Sequence, residues 1–127
     1  MEKEPMSRRT TFRVGGPCEA FFCPEGADDL AAVLKFLRAE GIRHIVIGQG
    51  SNVLFPDDGY DGCVAGVGNG MSKVEFDPGK LEAEAEAGAS LNELALETAA
   101  RGMAGLESLA GIPGSAGGAV FMNAGAF

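Results

Sequence analysis

Glycine is the residue type that most constrains how this chain can fold. The 20 glycines among 127 residues are more than twice the usual share of about 7%. They cluster between apolar runs, and six of them lie in Gly105–Phe127 (GLESLAGIPGSAGGAVFMNAGAF). Glycine-rich backbone leaves N–H groups uncovered by side chains, so it can follow a phosphate group closely. The pattern therefore predicts short regular elements joined by close-fitting loops, with an anion-binding loop in this segment.

Overall composition is that of one ordinary soluble domain, with 46% hydrophobic and 22% charged residues. The net charge of −8 argues against a nucleic-acid partner, because such binding needs clustered lysine and arginine. We expect a cytoplasmic protein, since the N-terminus lacks the apolar core of a signal peptide. The uncharged span Ser108–Phe127 is too rich in glycine to predict a membrane-spanning helix.

The cysteines and the single histidine predict no metal site. Cys18, Cys23 and Cys63 form no CxxC pair, and we expect small buried residues in a reducing compartment. His44 has no second histidine with which to build a site, and we expect a packing or surface role for it.

The first half of the chain predicts a βαβ unit. Cys18–Cys23 and His44–Ile47 are short apolar runs typical of strands, whereas Thr10–Pro17 is predicted to be an extended piece ending in a turn. Between the strands, Ala27–Glu40 has one apolar stripe at helical spacing. A strand, a helix and a strand at this spacing predict a parallel pair with a right-handed crossover.

The second half predicts more strands and a second helix, which makes the fold class α+β. Strands are expected at Cys63–Val67, Lys73–Asp77 and Leu81–Ala87, the last because glutamate alternates with small apolar residues. A helix is expected to begin after Ser90, which forms an S-x-x-E capping box with Glu93.

Gly48–Asn52 (GQGSN), hereafter the first glycine loop, directly follows the predicted strand His44–Ile47. Ligands collect at the carboxyl ends of parallel strands, and Ser51 and Asn52 would add a hydroxyl and an amide to the backbone N–H groups. Such a loop suits a diphosphate, although it matches neither the P-loop nor the Rossmann fingerprint. The alternative is a tight turn between two strands.

Gly111–Gly118 (GIPGSAGG), hereafter the second glycine loop, is the more specific of the two. Pro113 restricts the backbone, and Ser115 could donate to a phosphate oxygen. Gly117 and Gly118 could open a short helix whose N–H groups face a ligand. The alternative is a packing turn, which two such loops in one small domain make less favourable.

Three segments in this order resemble the UDP-N-acetylenolpyruvoylglucosamine reductase (MurB) family of bacterial cell-wall enzymes. They are Thr10–Pro17 (TTFRVGGP), Val46–Asn52 (VIGQGSN) and Gly105–Phe127. The similarity extends over nearly the whole chain, from Ser7 onward. Each motif alone is moderately specific, and the three in order are highly specific.

The resemblance implies a PCMH-type FAD-binding domain, shared with vanillyl-alcohol oxidase-like flavoproteins, in which a βαβ lobe precedes a mixed-strand lobe. It implies that residues 1–127 are the N-terminal part of that domain and that a C-terminal substrate-binding domain is absent. The residues it implies for FAD binding are Gly48, Gln49, Gly50, Ser51, Asn52, Gly111, Ile112, Pro113, Gly114, Ser115, Gly117, Gly118, Asn123, Ala124 and Gly125. At Phe127 the family has a tyrosine, so this chain keeps the ring and loses a hydroxyl.

The family reaction is the NADPH- and FAD-dependent reduction of UDP-N-acetylenolpyruvoylglucosamine to UDP-N-acetylmuramate in peptidoglycan biosynthesis. The resemblance thus implies NADPH and a UDP-sugar as partners of the full-length protein. The family's catalytic serine, glutamate and arginine lie downstream of residue 127, so no catalytic residue is assigned and this piece alone is expected to be inactive. Arg101 and Glu107 are interpreted as solvated charges near helix ends. Another FAD-dependent oxidase or dehydrogenase, or a non-catalytic nucleotide-binding module, remains an alternative.

Overall fold

The computed structural model describes residues 1–125, so Phe127 lies outside the described part. A four-stranded sheet is formed by β1 (Glu2–Pro5), β2 (Pro17–Phe22), β3 (His44–Ile47) and β4 (Tyr60–Gly66), in the order β1-β2-β4-β3. β1 is antiparallel to β2, whereas β2 and β3 each pair with β4 in parallel. The sheet is therefore mixed, as in an α+β fold.

The expected direct pairing of the two strands in the βαβ unit is wrong, because β4 lies between them. The strand predicted at Cys63–Val67 begins at Tyr60, and four consecutive residues, 62–65, are buried. A strand buried on both faces is stabilised in the centre of a sheet. β2 and β3 consequently point the same way without hydrogen bonding to each other.

Helix α1 (Ala27–Ala39) connects β2 to β3 and ends one residue before the predicted boundary. The predicted stripe is the side that packs: Leu37 is buried, and Leu30, Val33 and Leu34 are half-buried. Asp28 and Asp29 in the first turn complement the helix dipole.

The second lobe has a hairpin of β5 (Val74–Asp77) and β6 (Glu82–Ala85), followed by α2 (Leu91–Ala100) and α3 (Ala116–Met122). The strand prediction for the alternating glutamates is confirmed. Ser90 caps α2, because its Oγ accepts the N–H of Glu93 at 3.3 Å. Short 3-10 turns occupy Met6–Arg8, Asn69–Met71 and Glu107–Leu109.

The main core lies under the four-stranded sheet. It is a cluster of buried side chains, namely Met6, Cys18, Phe21, Ile47, Phe55 and Val64. Two of the three cysteines are buried as expected, but Cys23 is exposed, because it follows the last residue of β2. All three thiols are unpaired.

Thr10–Pro17 is not the extended piece that its sequence predicts. The N–H of Arg13 donates to the carbonyl of Thr10 at 3.2 Å, which closes a turn, and β2 begins only at Pro17. Within residues 1–125, no helix is long and apolar enough to cross a membrane.

Candidate functional site

A cleft of about 880 Å³ opens where β3 ends and α3 begins. This volume lies in the upper part of the range of roughly 300–1,000 Å³ that is typical of ligand pockets. Every residue that the sequence assigned to cofactor binding lines it, apart from Gly111. The two glycine loops, although about 60 residues apart in sequence, are therefore brought together.

The first glycine loop presents a run of unused backbone donors to the cleft. Among residues 1–125, the N–H groups of Gly48–Asn52 donate to no protein acceptor. Gly50 has φ +66°, a left-handed conformation in which glycine is favoured. Consecutive N–H groups around such a residue form a concave site for an anion.

Gly48 does not have a positive φ, so the chain needs glycine here for another reason. A Cβ at this position would overlap the Oγ of Ser115. Because Gly48 has no side chain, the backbone at the end of β3 can lie directly against the Ser115 hydroxyl at the start of α3.

The second glycine loop is fixed from two directions. The carbonyl of Gly114 accepts the N–H of Leu91 at 3.0 Å, which attaches the loop to α2. The N–H of Gly111 donates to Asn92 Oδ1 at 2.7 Å, which explains why Gly111 faces α2 and not the cleft. Gly111 and Gly114 have φ +86° and +134°, so both depend on glycine.

The prediction that the opening N–H groups of α3 face a ligand is wrong. Ala116 N donates to the carbonyl of Ala89 at 2.8 Å, and Gly117 N donates to that of Ala87 at 2.9 Å. Gly118 N donates to Ser115 Oγ at 3.2 Å. These donors satisfy protein acceptors and hold α3 against the segment before α2.

Ser115 is accordingly the N-cap of α3. Its side chain is 2% exposed and accepts the Gly118 N–H, which a helix start otherwise leaves without a partner. The sequence prediction of a phosphate donor overlooked this role, although a serine three residues before an N–H of the helix is the usual cap spacing.

The far end of α3 completes the cleft. Asn123 adopts a left-handed conformation (φ 48°, ψ 48°) that ends the helix, and Ala124 N bonds back to the carbonyl of Ala119 at 2.8 Å. Asn123, Ala124 and Gly125 all line the cleft, next to Phe121 and Met122.

Apolar residues form the remaining wall and were missed as site residues. They are Leu30, Ile45, Val46, Ile47, Val53, Val67, Ala87, Leu91, Ala119, Phe121 and Met122. In sequence they are indistinguishable from core positions, so only their three-dimensional arrangement identifies them.

The described cleft lining contains no ionisable side chain. Arg101 lies elsewhere, where it pairs with Glu97 and its guanidinium carbon is 4.1 Å from the centre of the Phe76 ring. Glu107 is exposed, and backbone N–H groups of Glu107 itself and of Gly105 lower its pKa. Both residues are exposed charges near helix ends, as expected. The cleft can thus hold an anionic group on backbone donors and an aromatic ring system on apolar side chains.

Comparisons with known proteins show the family to which the chain belongs. Residues 18–127 match the family model described as FAD binding domain. The chain is 44% identical to UDP-N-acetylenolpyruvoylglucosamine reductase of Heliobacterium modesticaldum, over 99% of this chain and 40% of that protein. For the enzyme of the same name from Phenylobacterium zucineum the identity is 46%, over 100% of this chain and 42% of that protein.

A solved structure shares the fold. The crystal structure of UDP-N-acetylenolpyruvylglucosamine reductase (MurB) from Thermus caldophilus matches with a TM-score of 0.74 and 35% sequence identity, over 97% of this chain and 42% of that one. The chain spans about two fifths of the length of the relatives it matches. With a PCMH-type fold and FAD as its cofactor, the chain belongs to the FAD binding domain family.

Proposed function

We propose that this chain is the FAD-binding part of a UDP-N-acetylenolpyruvoylglucosamine reductase. The observation that carries the proposal is the cleft, in which two glycine loops meet above an apolar wall. Relatives 38–46% identical to the chain carry that enzyme name. The chemistry of the two glycine loops and the similarity to these relatives therefore support the same assignment.

The FAD diphosphate binds at the first glycine loop in this proposal. The N–H groups of Gly48–Asn52 supply donors, and no carboxylate lines the described cleft to repel the phosphates. The second glycine loop covers the diphosphate and the adjoining isoalloxazine side, while Asn123–Gly125 lie nearby. The apolar wall then packs against the flavin ring.

Bound FAD supplies the hydride chemistry, and this chain supplies placement and exclusion of water. Backbone donors suit that task, because they carry no proton that is exchanged in the reaction. The described cleft lining has no ionisable side chain to donate a proton to the substrate carbon, and no residue of this chain is assigned a catalytic role.

The proposed reaction consumes NADPH and reduces the enolpyruvyl ether of a UDP-sugar, giving UDP-N-acetylmuramate for peptidoglycan synthesis. We place the protein in the cytoplasm, where both substrates are found. Nucleic acid, membrane and metal have no part in the proposed chemistry.

The test is NADPH oxidation by the intact, FAD-loaded protein. We expect oxidation to depend on UDP-N-acetylenolpyruvoylglucosamine, with a product that mass spectrometry shows to have gained two hydrogens. Alcohols and hydroxy acids with oxygen as acceptor are the comparison substrates. Turnover of those alone would identify another oxidase of the superfamily. Bound flavin that NADPH does not reduce would favour a non-catalytic module.

A further inference from the structure

The turn Thr10–Arg13 lies behind the first glycine loop, on the side away from the cleft. The N–H of Thr11 donates to the carbonyl of Gly50 at 3.0 Å, and Thr11 Oγ1 lies 3.4 Å from the same oxygen. Thr11 does not line the cleft. Its effect on a ligand there must therefore pass through Gly50.

The turn is held firmly enough to serve as a support. Arg9 Nε pairs with Glu4 Oε1 at 2.8 Å, and the Arg9 guanidinium lies 4.5 Å from the centre of the Phe21 ring. Thr10 is buried. A Cβ on Gly50 would overlap the Arg9 carbonyl oxygen, so the loop packs directly on this segment.

The geometry of one peptide bond connects this support to the cleft. In a trans peptide the carbonyl and the following N–H point in opposite directions. The Gly50 carbonyl points at Thr11, so the Ser51 N–H points away from it, and Ser51 lines the cleft. That N–H donates to no acceptor among residues 1–125.

We propose that Thr11 is a positioning residue for FAD: by holding the Gly50 carbonyl it aims the Ser51 N–H at the FAD diphosphate. This inference depends on the proposed placement of FAD. It gives the segment Thr10–Pro17 a role in cofactor binding that its sequence alone did not suggest.

A Thr11→Pro variant removes the hydrogen bond from the Thr11 N–H to the Gly50 carbonyl and changes little else. Thr11 is the second residue of the Thr10–Arg13 turn, a position at which proline is favoured in β-turns, and neither it nor Phe12 has positive φ. Proline removes the N–H and keeps the turn. Thr11→Val is the matched control, because it keeps the N–H and loses only the hydroxyl.

The readout is the Kd of the deflavinated intact protein for FAD and for riboflavin, which lacks phosphates, measured by flavin fluorescence. We expect Thr11→Pro to raise the Kd for FAD about tenfold or more, the range for a hydrogen bond to a charged group. The Kd for riboflavin should change less than about threefold, as should the Kd of Thr11→Val for FAD.

An unchanged Kd of Thr11→Pro for FAD would overturn the inference, as would an equal loss of riboflavin binding, which would indicate a general disturbance of the cleft. A second variant replaces Thr11 by its α-hydroxy analogue, in which an ester oxygen takes the place of the N–H and the side chain is intact. This variant must also lose affinity for FAD and keep its affinity for riboflavin. Failure of the unaltered protein to bind FAD would instead overturn the proposed function.

Discussion

Ser51 Oγ donates a hydrogen bond to the carbonyl oxygen of Pro113 at 3.2 Å, across 62 positions of sequence. It is a side-chain contact that joins the two glycine loops directly. A Cβ on Gly114 would lie 2.9 Å from the same Oγ, so the loops meet with no space to spare. This hydroxyl group therefore helps to set the spacing of the two loops, together with the contact of Gly48 with Ser115 Oγ.

Replacing Ser51 by alanine should loosen the second glycine loop more than it destabilises the fold. The lost hydrogen bond is partly exposed, so we expect a decrease of about 0.5–1.5 kcal/mol in the free energy of unfolding. Amide hydrogen exchange in the second glycine loop should become faster in the protein without flavin, and FAD should bind more weakly.

Ser72→Ala is the matched control for this change. Ser72 Oγ donates to the carbonyl of Asn69 at 3.0 Å, which is also an exposed hydroxyl-to-carbonyl bond, but it lies outside the cleft and spans three residues. It should affect neither the exchange of the second glycine loop nor FAD affinity. Equal effects of the two variants on FAD binding would refute the bridging role of Ser51.

Gly48→Ala should separate the end of β3 from the start of α3. The new Cβ would overlap Ser115 Oγ, and overpacking of this kind costs about 1–3 kcal/mol. Chemical denaturation and flavin titration should show losses of both stability and FAD affinity. Gly26→Ala is the control, because Gly26 is extended (φ 179°) with no atom within 4 Å of the added Cβ. Retention of full FAD affinity by Gly48→Ala would contradict the structure.

Ser115→Ala should fray α3, because the Gly118 N–H loses its acceptor. The cost expected for a lost N-cap is about 1 kcal/mol. Ser90→Ala removes the corresponding cap of α2 and should cost a similar amount. Ser115→Ala should weaken FAD binding more than Ser90→Ala does, since α3 lines the cleft over most of its length whereas α2 contributes only Leu91 to the described lining. If Ser90→Ala reduced FAD affinity as much, the specific role of the α3 cap would be disproved.

The buried thiols predict a loss of stability at alkaline pH. Burial raises the pKa of Cys18 and of Cys63, so the folded protein holds these protons more tightly than the unfolded chain. The stabilisation that the two protonated thiols give the folded protein is complete below the ordinary thiol pKa, and it is lost as the pH rises through the raised pKa values. The free energy of unfolding falls by at most about 1.4 kcal/mol per pH unit for each thiol. Denaturation over this pH range should show a steeper decline for the parent protein than for a variant carrying Cys18→Ala and Cys63→Ala.

The exposed Cys23 supplies the control for the thiol prediction. A thiol-specific reagent should label Cys23 in the folded protein and the two buried cysteines only after unfolding. Rapid labelling of Cys18 under native conditions would show that its burial is incorrect.

Local sequence patterns predicted the helices and strands but not which strands pair in the sheet. The cap at Ser90 and the alternation before it depend on residues a few positions apart, and both predictions are confirmed. The position of β4 between β2 and β3 depends on its burial on both faces, which requires α1 and the rest of the core to be in place. Strand order is therefore a property of the whole domain, and the periodicity of a short stretch of sequence cannot predict it.

In the cleft, too, local features could be predicted from the sequence and long-range contacts could not. Glycine density identified the loops that line it, because backbone exposure is a local property of glycine. The partners of the α3 N–H groups, at Ala87 and Ala89, are almost 30 residues away and leave no mark near the helix. For that reason the sequence predicted that these N–H groups face a ligand, whereas they bond to protein carbonyls.

The contact between Gly48 and Ser115 has a consequence for how such a site can change over generations. Where two walls meet as backbone against a hydroxyl, enlarging a side chain cannot widen the opening by small steps. Gly48 cannot be made smaller, and replacing Ser115 by a smaller residue would remove the cap of α3. A different ligand size would require residues to be inserted or deleted in a loop. The dimensions of this cleft are thus inherited with the path of the main chain.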